Sequence, residues 1–167
     1  MAGKVIITSV EYRLSKQPAP HLDYGTLRPE VEKSGDITPE GIRRAVVAIR
    51  ESKLPDPKKI GNAGSFFKNP ILPRGQVEAL LNEYPTMPVY EVAGAPECLK
   101  IATGWMIDTL GWKGKALGCA GVHSKQALVL VNLGGATGTE VMALAERICQ
   151  EVKDRFGVDI SPEVNVI

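Results

Sequence analysis

The chain has 167 residues, 44% of them apolar and 23% charged, with a formal net charge of +1. That length suits one domain with a real core and a short appendage. The near-neutral balance argues against a nucleic-acid or membrane surface, no apolar run is long enough to span a bilayer, and the N-terminus is not a signal peptide.

The chain begins Met1-Ala2-Gly3-Lys4 and runs straight into residues 5–14, whose β-branched content predicts a strand. So abrupt a start suits a piece cut from something longer. Residues 15–36 carry Pro18, Pro20, Pro29 and Gly35 and read as a connector. A helix is then signalled by Thr38 as N-cap, Pro39 at the first helical position and Glu40 at the positive end of the dipole. Ile42, Ala45, Val46 and Ile49 form one apolar stripe, with Arg43, Arg44 and Arg50 off it. Pro55 and Pro57 stop the helix near Leu54.

The stretch from Lys53 to Pro70 sets one serine, Ser65, between glycines and aromatics. Gly61 and Gly64 let backbone approach a ligand or take positive φ. Lys53, Lys68 and Asn69 supply donors that suit phosphate oxygens. Ser65 is the small side chain there that can both give and take a proton. The same residues also suit an ordinary loop anchored in the core by Phe66 and Phe67. Neither a P-loop order nor a Gly-x-Gly-x-x-Gly fingerprint is present.

Beyond this loop, residues 76–82 read as a short helix with Val77, Leu80 and Leu81 inward, and residues 89–92 as a short strand. Residues 99–110 read as a helix with Ile101, Ala102, Trp105, Met106 and Leu110 on one face, ended by Gly111. Residues 114–122 are glycine-rich, and the apolar run 127–131 is expected to be a buried strand. Thr137-Gly138-Thr139-Glu140 matches a capping box. The helix behind it carries Val141, Leu144, Ala145, Ile148, Val152 and Phe156 on one side and ends at Gly157. A last β-like segment covers 158–167. The fold class is α+β, one compact helix-sheet domain with terminal strands. Cys98, Cys119 and Cys149 are odd in number and widely spaced, which indicates neither a disulfide framework nor zinc and suggests a reducing, cytoplasmic setting. His21 and His123 are far apart, so no metal is expected.

Lys53-Leu54-Pro55-Asp56-Pro57 leading into Gly61-Asn62-Ala63-Gly64-Ser65-Phe66-Phe67-Lys68-Asn69-Pro70 resembles the substrate-domain signature of the UDP-N-acetylenolpyruvoylglucosamine reductases, also called UDP-N-acetylmuramate dehydrogenases. Three further segments are similar in the same order: Ala102-Thr103-Gly104-Trp105-Met106-Ile107-Asp108, then Val122 through Asn132, then Pro162-Glu163-Val164. The resemblance implies part of a flavoenzyme of cell-wall peptidoglycan synthesis. That enzyme uses NADPH and FAD to reduce the enolpyruvyl ether of UDP-N-acetylglucosamine to the lactyl ether of UDP-N-acetylmuramate.

In the family, two FAD-holding domains come before the region matched here, together with an arginine facing the substrate carboxylate and a tyrosine on the diphosphate. The implied division is residues 1–37 as strand and connector from the flavin domain, 38–157 as the substrate-binding domain, and 158–167 as a strand returning to the flavin domain. By the same resemblance Ser65 is the proton donor, and Glu163, when protonated, donates a hydrogen bond to the developing enediolate. Lys53 and Asn69 contact the UDP diphosphate, and Gln126 contacts the substrate. Lys68 and His123 receive no role.

The isolated chain is expected to bind UDP-N-acetylglucosamine enolpyruvate weakly and to oxidise no NADPH. The alternative is a stand-alone UDP-sugar-binding module without redox activity. The terminal strands, without their flavin domain, are expected to pair with a second copy in a non-native dimer.

Overall fold

The computed structural model describes residues 8–23 and 25–166. The chain divides into two compact units, one up to Arg50 and one from Glu51 onward.

In the first unit, Leu27 and Val31 of α1 (Leu27–Ser34) and Ala45 of α2 (Pro39–Lys53) are buried together. Leu22, Ile42 and Ile49 pack against them. Val46, expected on the same stripe, is 37% exposed. The start of α2 follows the expected cap: Thr38 Oγ1 accepts the Gly41 N–H at 3.1 Å, and the Thr38 carbonyl accepts from Ile42 N at 2.9 Å. Asp36 accepts from the Thr38 hydroxyl and from Arg44. The Thr38 hydrogen bonds, ahead of the Arg44 charge, hold the Asp36 carboxyl below the usual carboxylate range. Gly41 is buried so closely against Asp36 that any β-carbon there would collide with it.

Two expectations for this region need correction. Residues 15–36 are not all connector, because α1 lies within them. Pro29 is tolerated at its third position, where a backbone N–H would have no intrahelical partner. Gly35 closes the helix in the left-handed region at φ 68°, donating to the Val31 and Glu32 carbonyls. α1 and α2 therefore pack together across the expected 37/38 boundary. Of the strand expected over 5–14, residues 5–7 lie outside the described residues, and 8–14 form no strand. Val10, Tyr12 and Leu14 are exposed there; β-branched residues favour a ladder only where a partner edge receives them.

The second unit is built on two antiparallel sheets. The first has the order β1-β7-β6-β5, from β1 (Gly61–Ser65), β7 (Val129–Asn132), β6 (Ala120–Val122) and β5 (Ala116–Leu117). The second has the order β2-β4-β3, from β2 (Ile71–Pro73), β4 (Cys98–Ile101) and β3 (Val89–Glu91). α3 (Arg74–Glu83) packs on β2 and β4, while α5 (Gly138–Phe156) packs on β6, β7 and α4 (Thr103–Thr109). Phe67, Val77, Ile101, Met106, Leu144 and Ile148 are buried in the one core they share. This mixture of helices and antiparallel strands is the expected α+β class.

α5 has the most legible boundaries. Glu140 N donates to Thr137 Oγ1 at 3.2 Å and Thr137 N donates to Glu140 Oε2 at 2.8 Å, a complete capping box. Gly157 ends the helix at φ 66°. Its last turn carries Phe156 into an aromatic cluster, with the Tyr84 and Trp105 rings 5.0 and 6.0 Å away. Trp112 Nε1 donates to Glu151 Oε2 at 2.7 Å, and Arg147 Nε donates to Oε1 of the same carboxylate at 2.7 Å. These bonds, the Arg147 one foremost, lower the Glu151 pKa.

The stretch expected as a helix over 99–110 is two elements. Cys98–Ile101 is the central strand β4, and the helix begins only at Thr103. The chain after Gly157 is not a regular strand among the described residues. Val158 and Ile160 are buried in the core, and Pro162 makes a single antiparallel bridge to Phe67.

Candidate functional site

The serine stretch is a strand, not a loop. Gly-Asn-Ala-Gly-Ser has little β propensity, but β7 offers Val129, Leu130 and Val131 as a buried edge, and β1 pairs with it. Gly61 faces Asn132 and Asn62 faces Val131, but Ser65 faces Val129, so three steps along β1 answer two along β7. The extra residue makes a bulge. Gly64 sits in it at φ 73°, and its N–H donates to Asn62 Oδ1 at 3.1 Å. Asn62 Nδ2 donates to the Ile60 carbonyl at 2.9 Å, which ties the strand to the proline-rich approach. Beyond the bulge Ser65 is exposed, while the next two side chains are buried. The Phe66 and Phe67 rings meet edge to face at 5.2 Å. The two phenylalanines are thus core anchors that fix the backbone on which Ser65 stands.

Glu163 reaches the same place from the other end of the chain. Its N–H donates to the Phe66 carbonyl at 2.8 Å, and Lys68 N donates to the Ser161 carbonyl at 2.9 Å. The carboxylate-bearing residue is therefore one residue removed from Ser65 across a backbone hydrogen bond, and both side chains are exposed.

Asn69 lies at the start of α4. Its Oδ1 accepts the Thr103 N–H at 3.0 Å, and the buried Thr103 hydroxyl donates to the Lys68 carbonyl at 2.7 Å. Gln126 lies in the turn before β7, whose Leu128 carbonyl accepts from Phe66 N at 2.7 Å. Lys53 is the exposed last residue of α2. The neighbouring Ser52 carbonyl accepts from Lys125 Nζ at 3.2 Å, one residue before Gln126. The backbone of Phe66 thus joins the neighbourhoods of Ser65, Glu163 and the turn that carries Gln126, whereas Asn69 is held by Thr103 and Lys53 is reached only through its neighbour Ser52. An open depression of about 250 Å³ runs along β1 and β7, lined by Asn62, Ala63, Phe66, Leu130 and Val141 among others.

Residues 56–167 match the family model described as UDP-N-acetylenolpyruvoylglucosamine reductase, C-terminal domain. The chain belongs to this family. Proteins named UDP-N-acetylenolpyruvoylglucosamine reductase are similar to it along nearly its whole length. The one from Bacteroides fragilis is 57% identical over 163 residues, 98% of this chain and 48% of that relative. Those from Chromobacterium violaceum and Pseudomonas aeruginosa are each 49% identical, over 97% and 96% of this chain and 48% of each relative. The chain spans about half the length of the curated relatives it matches.

Within this reductase C-terminal domain, two supporting residues escaped the sequence reading. Thr103 holds both Lys68 and Asn69, but treating 99–110 as one helix hid the helix start that faces Asn69. The Thr103-Gly104 pair after Ala102 was the available signal. His123, left without a role, accepts the Lys125 N–H on Nδ1 at 3.3 Å. Among the described residues no group of three His, Cys, Asp or Glu could hold a metal ion, and no helix is long and apolar enough to cross a membrane.

Proposed function

We propose that this chain is the substrate-binding half of a cytoplasmic reductase that converts UDP-N-acetylglucosamine enolpyruvate to UDP-N-acetylmuramate with NADPH. The observation that carries the reading is the exposed Ser65 on its bulged, phenylalanine-anchored strand, next to Phe66, whose carbonyl accepts the Glu163 N–H. Reduction at C3 of the enolpyruvyl group leaves carbanion or enediolate character at C2. An aliphatic hydroxyl is a weak acid, but such a carbon is a far stronger base, so Ser65 needs placement rather than a shifted pKa to protonate it. Glu163, in its protonated carboxylic-acid form, donates a hydrogen bond to the enediolate oxygen as charge develops there. Lys53 and the amide donor of Asn69 contact the diphosphate, and Gln126 contacts the sugar nucleotide.

The reading requires a flavin, and the glycine-rich turn before α5 does not fit its phosphates. The glycine pair Gly134-Gly135 before α5 is the sort of place where a cofactor phosphate could sit on a helix N-terminus. There, however, the Glu140 carboxylate already accepts the Thr137 N–H and hydroxyl, and it would repel a second anion. The reading places FAD and the reducing step largely outside this chain.

The test is calorimetric titration of the folded chain with UDP-N-acetylglucosamine enolpyruvate, alone and with FAD and the half of the Bacteroides fragilis relative that this chain does not span. The chain alone should bind the ligand and oxidise no NADPH. In the completed assembly Ser65→Ala should keep affinity within a few-fold and lower turnover by about 10²-fold or more. A folded chain that gives no binding signal would sink the reading.

A further inference from the structure

The turn that leads into β7 is closed at its base by His123 N donating to the Val129 carbonyl at 2.9 Å, and inside it by Val129 N donating to the Gln126 carbonyl at 3.1 Å. Gln126 Oε1 accepts from Leu128 N at 3.5 Å, at the long end of hydrogen bonding. The limb between these contacts, residues 124 and 125, is held from the inside by the His123 ring. Nδ1 accepts the Lys125 N–H at 3.3 Å, while Lys125 Nζ reaches the Ser52 carbonyl. The ring is half-buried, and burial, then the Lys125 charge, holds its pKa below the usual histidine value. Both influences favour the neutral ring, in which Nδ1 can act as acceptor.

We propose that His123 is a positioning residue of the substrate site: Nδ1, by accepting the Lys125 N–H, fixes the turn that presents Gln126 beside the Ser65 end of β1. This rests on the reading of Gln126 as a substrate contact. An asparagine at 123 can reproduce the bond, because its Oδ1 reaches the N–H two residues on in an Asx turn. A leucine fills similar space without an acceptor.

The experiment uses the 167-residue chain, its His123→Asn and His123→Leu variants, and His123→Leu combined with Gln126→Ala. It measures Lys125 amide exchange by NMR and binding of UDP-N-acetylglucosamine enolpyruvate by calorimetry. His123→Asn should keep the Lys125 amide protected and affinity within about twofold, whereas His123→Leu should expose that amide and weaken binding about tenfold. In the Gln126→Ala background the leucine should cost no further affinity, because its effect runs through Gln126. Unchanged Lys125 exchange or unchanged affinity in His123→Leu overturns the inference alone, as does a leucine loss that persists in full beside Gln126→Ala. Absence of binding by the unsubstituted chain overturns the substrate reading and this inference with it.

Discussion

Under the proposed function the Asn69 carboxamide serves both the fold and the site. Its oxygen accepts the first N–H of α4, so its amide nitrogen remains available as a donor, the polarity that suits a phosphate oxygen. The two roles separate by substitution. Asn69→Asp keeps an acceptor for Thr103 N but turns the donor end into a second anionic oxygen. It should leave the melting temperature nearly unchanged and abolish measurable binding of UDP-N-acetylglucosamine enolpyruvate. Asn69→Ala removes both and should also cost about 1 kcal/mol of stability, in the range for a lost helix cap. Chemical denaturation and titration of the two variants side by side give the answer; an aspartate variant that binds normally would reduce Asn69 to a cap.

At the level of single elements, α5 carries the fold of the second unit. It covers β6 and β7, packs on α4 and brings Phe156 to the aromatic cluster. Its capping box is therefore a point where local chemistry has wide effect, and Thr137→Ala should destabilise the chain by about 1 kcal/mol in denaturant unfolding. Two of its carboxyls titrate below their usual range. The Thr137 backbone and hydroxyl hold Glu140 down, and Arg147 and Trp112 hold Glu151 down. A carboxyl lowered on folding contributes stability that is present above its unfolded value, roughly 4.3 for glutamate, and is lost as pH falls through the lower folded value. Stability should therefore fall on acidification below about pH 5. Glu140→Gln should make that decline shallower in thermal melts across the acid range, and an unchanged acid limb would show that its hydrogen bonds contribute little.

At the scale of the whole chain, residues 8–14 bear on self-association. Val10, Tyr12 and Leu14 alternate along this stretch and are 64%, 77% and 84% exposed, with no ladder partner among the described residues. Such an exposed alternating stretch is suited to pairing as a strand with another chain. Light scattering should report a concentration-dependent dimer, and replacing Tyr12 and Leu14 with lysine should return it to monomer without changing ligand affinity. A monomer at all concentrations would remove the pairing expectation.

The same contrast explains which features could be read before any coordinates. The starts of α2 and α5, the end of α5 at Gly157 and the stop at Pro55 are carried by a cap, a glycine or a proline acting within a few residues of itself, so local chemistry was enough. The grouping of Lys53, Ser65, Asn69, Gln126 and Glu163 came from a motif resemblance, and no periodicity would have joined residues so far apart along the chain. Pairing of β1, the strand at Cys98–Ile101, the helix at Leu27 and the clamp of Thr103 on Asn69 were settled by neighbours distant in sequence. A strand of glycine and asparagine exists because β7 offers it an edge, while residues 8–14, with Val10, Tyr12 and Leu14 at alternate positions, form no ladder because no strand among the described residues offers them one. Caps and breakers act on their own backbone, whereas ladders and burial depend on a partner that folding alone brings alongside.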